Sequence, residues 1–430
     1  MKNCAKVINK KIVVIGAGMV GVCTALELQK RGAIVTLIDR KNPGQETSFG
    51  NAGVLARSSL IPINNPSMLR SLPRMALNKS VSLRFDPKFM ARNAMWVAQF
   101  LANARRSQFL ETANALNDLI CLSIDKQLAL LGENGLNEYL SDLGWLFLYR
   151  QTAGFDAATT NREVIEGHGV PVEVLDQNAL HDLEPGLRRV FPKALWIKGS
   201  YSISDPGAVV AGYAQAFVER GGTIQQSSAT AMTETEENVT VHLSDAPDIV
   251  ADQIAVCLGP WAKTFLENSG YRVRMAFERG YHRHFQGSGD GSNAPQLGRP
   301  ICDTAGGYVL SPMRSGLRLS SGVELADCDA PQNTRQIQQA EQAARRAIDL
   351  GARVDETTWL GRRPTFPDSR PSIGIAPGSR RVALGIGHQH IGFMTGAGTA
   401  DMIADIMSGQ TCDIDASPFR TDRYISRHQV

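Results

Sequence analysis

One short stretch narrows the choice of fold more than any total does. Ile12 to Ile15 are apolar and β-branched, as a strand buried on both faces should be, and "GAGMVG" follows at once. Gly16, Gly18 and Gly21 therefore make G-x-G-x-x-G directly after a strand. The first glycine permits a tight turn, the second lets a pyrophosphate approach the backbone, and the third lets the helix pack on the strand. Helical periodicity runs from Val20 to Lys30, Gly32 ends it, and Ile34 to Ile38 reads as a second strand closing on Asp39. The unit is βαβ, and its helix N-terminus offers unpaired N–H groups and partial positive charge to an anion. Asp39 stands 18 residues beyond Gly21, where its carboxylate would accept hydrogen bonds from a ribose. A glycine turn kept for packing alone would leave Asp39 without a role.

The next stretch, "QETSFGNAGVL" at 45–55, has no apolar period of either kind. In a nicotinamide dehydrogenase the chain would usually go on winding helices and strands from here. Short polar residues and glycine instead supply N–H and hydroxyl donors with little bulk, which suits a segment lying against a second, larger part of a cofactor. A flavin ring would be such a part, although the glycine motif itself does not separate FAD from NAD.

With 430 residues and 43% apolar content, the chain is too long for one simple core and should form about two domains. Strands ending in glycine recur at "ADQIAVCLGPWA" and "RVALGIGHQHIGFMTGAG", far from the first. The economical arrangement is α/β: a discontinuous Rossmann-like cofactor domain from 8–80, 200–268 and 358–428, with an α+β substrate domain from 81–199 and 269–357 inserted as a mixed antiparallel sheet plus helices. Residues 85–131 read as strongly helical, 144–149 as a strand, 271–325 as short strands, and 333–352 as a helix. A net charge of +3, with 45 basic residues scattered among 42 acidic ones, points to no nucleic-acid partner. The seven cysteines form no C-x-x-C pair and the eight histidines no H-E-x-x-H, so no metal site is expected and a reducing compartment is. The basic, apolar start is a strand entering a glycine turn, with no small-residue cleavage site after it. A soluble, cytoplasmic or at most peripheral protein is therefore expected.

The blocks "GAGMVG…ID", "ETSFGNAG", "ERGYH", "AVCLGPWA", "WLGRRPTFPDSRPSIG" and "GIGHQHIGFMTGAG" fall in order along nearly the whole chain. Together they resemble the FAD-dependent D-amino acid dehydrogenases, within the D-amino acid oxidase and glycine oxidase superfamily. The resemblance implies FAD in an extended pose. Gly16, Ala17, Gly18, Met19, Val20 and Gly21 would hold the pyrophosphate and Asp39 the ribose. Arg40, Thr47, Ser48, Asn51, Ala52, Gly53 and Val54 would meet the middle and the flavin end, with Ala229 at the adenine. Gly259 and Trp261 follow the second strand, and Gly387, His388, Gly392, Phe393, Met394 and Thr395 would wrap the pyrimidine side.

The resemblance also implies hydride transfer from Cα of an amino acid, or of a D-proline analogue, to flavin N5. Arg363 would grip the substrate carboxylate through two parallel N–H donors, and also adjoin the flavin. Neighbouring Arg362 and Arg370 compete for that role, and Arg370 would add positive charge to the pocket. Tyr281, His282 and Tyr308 are the candidates for a wall over the flavin, with core packing the alternative for the tyrosines. His388 would contact the ring or the substrate, while His390 reads as a hydrogen-bonded loop residue. The acceptor would be a quinone or O2. Residues 88–106 carry an apolar helical face, Phe89, Trp96, Val97, Phe100 and Leu101, that either packs on a sheet or touches a membrane surface. Competing readings are a nicotinamide enzyme, an L-amino acid, sarcosine or glycine oxidase, and a nucleotide-binding protein without catalysis.

Overall fold

The β-branched run becomes an interior strand because it can be buried on both faces. In the computed structural model, which describes residues 7–69, 72, 77–78, 80–287 and 297–428, Lys11–Ile15 pairs in parallel with Ile34–Asp39 on one side and Gln253–Val256 on the other. Thr223–Gln226 extends this sheet beyond Ile34–Asp39, and Val382–Ile386 with antiparallel Ser372–Ile375 completes six strands. Strand order thus reverses at Lys11–Ile15, and a crevice opens beyond the carboxyl ends of the two strands that flank the reversal. Helices Met19–Lys30, Arg106–Glu133 and Gly396–Ser408 cover one face, where Val14, Val22, Leu119 and Ile403 share a core. Arg31, almost fully buried, ties two of these helices together through Glu27, Asp401 and Asp405.

A second sheet of ten strands lies against the crevice. In it Trp359–Thr365 pairs antiparallel with Ala276–Phe285 alone among the strands, in register from Ala276 opposite Thr365 to His282 opposite Trp359. Trp359–Thr365 was expected with the third segment of the cofactor domain, but its backbone hydrogen bonds go to the large sheet. Behind this sheet the helix Arg335–Arg345, shorter than the expected 333–352, buries Ile337, Ala340 and Ala344 with Tyr281, Tyr308 and Leu310.

The helical stretch after residue 85 breaks into Pro87–Arg92, Ala94–Ala102 and Arg106–Glu133. Asp86 starts the first by accepting from the Lys88 amide, with Pro87 following it. Phe89, Trp96 and Phe100 point inward, and Trp96 stacks on Phe100 while its indole N–H donates to the Thr365 carbonyl. The apolar face of 88–106 is therefore packed on the core between the sheets, as one of its two readings required. Among the described residues, no helix is long and apolar enough to cross a membrane, and no cluster of His, Cys, Asp and Glu could hold a metal ion.

Candidate active site

A cavity of about 1220 Å³ fills the crevice between the two sheets, larger than the roughly 300–1,000 Å³ of an ordinary small-ligand pocket. At one end it is walled by the glycine turn. Gly16 has φ +105° and its absent Cβ would stand 2.5 Å from the Cys257 carbonyl oxygen, so both conformation and space demand glycine there. Gly18 caps the helix Met19–Lys30 without a side-chain cap of its own, leaving the helix-end amides other than that of Met19, which Ser48 takes, open to an anion. Asp39 lines the cavity and is pinned by accepting from the Ala17 amide at 2.7 Å and the Lys41 amide at 3.0 Å. Burial pushes its carboxyl up, which the two amides counter. Ala229 enters the wall beside it, and the Arg40 guanidinium lies 4.1 Å above the Trp261 ring.

The stretch 45–55 is the strap that joins this end to the large sheet. Ser48 accepts from the Met19 amide at 3.0 Å, the Thr47 hydroxyl donates to the Arg362 carbonyl at 3.0 Å, and Arg318 donates to the carbonyls of Phe49 and Asn51. Gly50 rests on the Trp359 ring, where a Cβ would come within 1.9 Å of the indole. Val54 and Leu55 then pair with Tyr201–Ile203.

At the far end, strand alternation aims Trp359, Gly361 and Arg363 into the cavity. The Arg363 guanidinium forms no hydrogen bond or ion pair among the described residues. It crosses the bare backbone of Gly280, at which a Cβ would lie 2.4 Å from Nη2. Arg362 points the other way, to the Cys328 carbonyl. The expected pocket role of Arg370 is overturned, because Arg370 is bound to Glu111 and Asp368 and does not reach the cavity. The loop 388–394 closes the opposite wall, tied down by the Gln389 amide on the Pro364 carbonyl.

Comparison with known proteins bears on this architecture. A family model described as "FAD dependent oxidoreductase" matches residues 11–406. The chain belongs to that family. It is 26% identical to a D-amino-acid oxidase of Bradyrhizobium diazoefficiens over 97% of this chain and 99% of the relative. It is 27% identical to a D-amino acid dehydrogenase of Phenylobacterium zucineum, over 95% and 96% of the two chains. Among solved structures, glycine oxidase from Geobacillus kaustophilus has the same fold, with a TM-score of 0.75 at 18% identity over 97% of this chain and 100% of that one.

The residues of this FAD-dependent oxidoreductase fit its cofactor. The open helix end and the glycine turn suit a pyrophosphate, Asp39 a ribose, and the strap, Trp359 and the loop 388–394 a flat ring system. Of the residues proposed from sequence, Gly16, Gly18, Met19, Val20, Asp39 and Arg40 line the cavity, as do Thr47, Ser48, Asn51, Ala52 and Val54. So do Ala229, Gly259, Trp261, Arg363, His388, Gly392, Phe393 and Met394.

Others support the wall without forming it. Ala17 gives its amide to Asp39, and Gly21 packs where a Cβ would meet the Gly16 carbonyl at 1.7 Å. Gly53 and Gly387 sit against the Ile203 carbonyl and the Phe366 ring, and Thr395 is buried at the start of the helix Gly396–Ser408. Tyr281 and Tyr308 are corrected outright. Val309 lines the cavity beside Tyr308, no residue of the Tyr281 strand does, and both tyrosine rings enter the core behind the sheet. The Tyr281 hydroxyl donates to Glu324 at 2.7 Å. His282 has the cavity parity but lies beneath Trp359, stacked at 4.7 Å, and burial lowers its pKa to about 2.

Sequence reading missed Trp359, Gly280 and Glu278 and gave His390 a different role. His390 lines the cavity, and its Nδ1 lacks a hydrogen bond, contrary to the loop role expected of it. Burial holds His388 at about 3 and His390 at about 4, so both imidazoles are neutral. Glu278, opposite Arg363 in the strand register, is a fully buried carboxyl raised to about 7 by desolvation. The block "ERGYH" contained it, but only the pairing with Arg363 marks it as part of the site.

Proposed function

We propose that the enzyme oxidises an amino acid, of D configuration, at its Cα–N bond. The observation that carries this reading is the unpaired Arg363 guanidinium facing the cavity at the flavin end. Its two parallel N–H donors match a carboxylate in distance and direction, and desolvation inside the cavity strengthens the grip. The bare backbone of Gly280 fixes where the guanidinium lies. When bound, FAD supplies a two-electron acceptor for the Cα hydrogen. The substrate gives up that hydrogen as hydride, and the resulting imine is hydrolysed in water to a 2-oxo acid and ammonia, or stays cyclic for a proline analogue. The amine must be neutral so that its lone pair supports the forming iminium. Neutral His388 and His390 contact the bound molecules without holding a charge that would compete for the carboxylate. Orientation of Cα by Arg363 is the main catalytic contribution of the chain.

Val309, Phe147, Trp145 and Leu195 of the large sheet also line the cavity, with Asn161 and Arg162 among the other lining residues, so apolar surface is available to a substrate side chain. The division into a cofactor domain and a substrate domain follows the two sheets, with the change of domain after Thr365. A quinone or O2 is the final acceptor, and the enzyme acts in the cytoplasm.

The test is anaerobic stopped-flow bleaching of the flavin with D- and L-amino acids and cyclic imino acids. Bleaching by D-enantiomers, lost in Arg363→Ala with FAD retained, is expected. Reduction by L-enantiomers alone, or undiminished reduction in Arg363→Ala, would overturn the reading.

A further inference from the structure

Beyond gripping the substrate, Arg363 stands across the strand pair from a buried acid with which it makes no hydrogen bond or ion pair. Glu278 and Arg363 are directly opposed in the antiparallel pair Ala276–Phe285 and Trp359–Thr365, so their side chains emerge on the same face. Glu278 is 1% exposed. Its Oε1 accepts from the Thr365 hydroxyl at 2.8 Å, while Oε2 has no hydrogen-bond partner. Among the described residues, Arg363 is the cation opposite Glu278 in register, and each favours the charged form of the other. A buried carboxylate is costly unless a cation offsets it, and the cation opposite it in register is the group a substrate carboxylate would claim.

Resting on the reading of Arg363 above, we propose that Glu278 is the resident counter-ion of the substrate site, taking up a proton when a carboxylate ligand binds Arg363. Two anions then compete for one guanidinium inside a desolvated site, and the buried one with an unsatisfied oxygen yields by protonation. Glu278 acts through Arg363 and is a positioning residue, not a catalytic one. It sets the affinity for carboxylates and makes that affinity fall as pH rises.

The surrounding groups leave Glu278 as the titrating site. His282, four residues along the same strand, and His388 and His390 across the cavity are held neutral by burial. Arg279 and Glu324 face the opposite side of the sheet, around the Tyr281 hydroxyl. The Lys263 ammonium donates to the Met275 carbonyl. Arg362 lies with the Cys328 carbonyl, and Thr365 is uncharged. The Glu278 carboxyl, already raised to about 7, is driven higher by a bound anion. Carboxylate affinity is therefore greatest below that pH and weakens above it by up to tenfold per unit, one proton being taken up.

The experiment titrates the FAD-loaded enzyme with propionate, which cannot be oxidised at Cα–N and carries no amine, from pH 5.5 to 9. Flavin absorbance reports binding without turnover. In the unaltered enzyme the propionate Kd should be flat in acid and rise about tenfold per unit above neutrality. Glu278→Gln should bind propionate at least tenfold more tightly at pH 8.5 and show no pH slope. Thr365→Val, which removes a hydrogen bond from the ionised carboxylate, should keep the slope and move its onset upward. A flat profile in the unaltered enzyme, or an unchanged slope in Glu278→Gln, would overturn the proposal. Propionate binding that survives Arg363→Ala would instead refute the carboxylate role of Arg363 itself.

Discussion

Replacing Gly280 by alanine tests the site at its narrowest tolerance. The added Cβ would sit 2.4 Å from Arg363 Nη2 and 2.8 Å from Cζ, where ordinary contact begins near 3.4 Å. The guanidinium must therefore retreat by about 1 Å, and a misplacement of about 1 Å in a positioning group costs on the order of 10²-fold in rate. That corresponds to about 2.7 kcal/mol of lost transition-state stabilisation. The backbone has no objection to the change. Gly280 lies within a regular strand and outside the positive-φ region, so alanine is conformationally acceptable and should reduce the entropy of the unfolded chain. The expected variant is as stable as the parent, carries a full complement of FAD, and shows kcat/KM lowered about 100-fold for flavin reduction by a D-amino acid. Stopped-flow reduction and thermal melting of the same preparation measure both quantities. Unchanged kcat/KM in a folded, flavin-loaded Gly280→Ala would refute the placement of Arg363.

Gly16→Ala, whose Cβ would stand 2.5 Å from the Cys257 carbonyl in a backbone conformation of φ +105°, should purify with little bound FAD; stoichiometric flavin absorbance would contradict it. Arg31→Met strips Asp405 and Asp401 of their shared guanidinium inside the helical layer and should cost about 3–5 kcal/mol, seen as a lowered Tm, whereas an unchanged Tm would show the network is dispensable. His388, held at about 3 against an ordinary 6.5, stays neutral as the unfolded chain takes up a proton, so its contribution to stability is complete above 6.5 and is lost as pH falls toward 3. Glu278 acts in the opposite sense between 4.5 and about 7, so His388→Asn isolates the effect. That variant should lose stability on acidification less steeply than the parent, by about 1.4 kcal/mol per pH unit below 6.5, and identical slopes in urea unfolding would refute the assignment.

The local geometry of the nucleotide end was legible because its determinants are local. Gly16, Gly18 and Gly21 meet steric demands set within a single turn, and Asp39 ends a strand whose register follows from Ile34 to Ile38. The strap was legible for a related reason: a segment without an apolar period must find its partners outside itself, and Ser48 and Thr47 do. The substrate end depended on parity and pairing between distant segments. Tyr281 and Glu278 lie three residues apart in one strand, yet one enters the core and the other faces Arg363, because successive side chains alternate and composition does not say which face meets the cavity.

The sequence by itself pointed to a dinucleotide on a glycine turn, and its family resemblance pointed to Arg363, with Arg362 and Arg370 competing, as the proposed grip on a carboxylate. Tertiary structure left Arg363 as the one of the three that lines the cavity, by burying Arg370 against Asp368 and Glu111 and turning Arg362 to a carbonyl. It also brought Glu278 and Gly280 from one strand against Arg363 from another, over eighty residues away. The physical reason is that glycine sterics act within a turn, whereas the charge and space around a buried guanidinium are set by whatever strand hydrogen bonding places beside it.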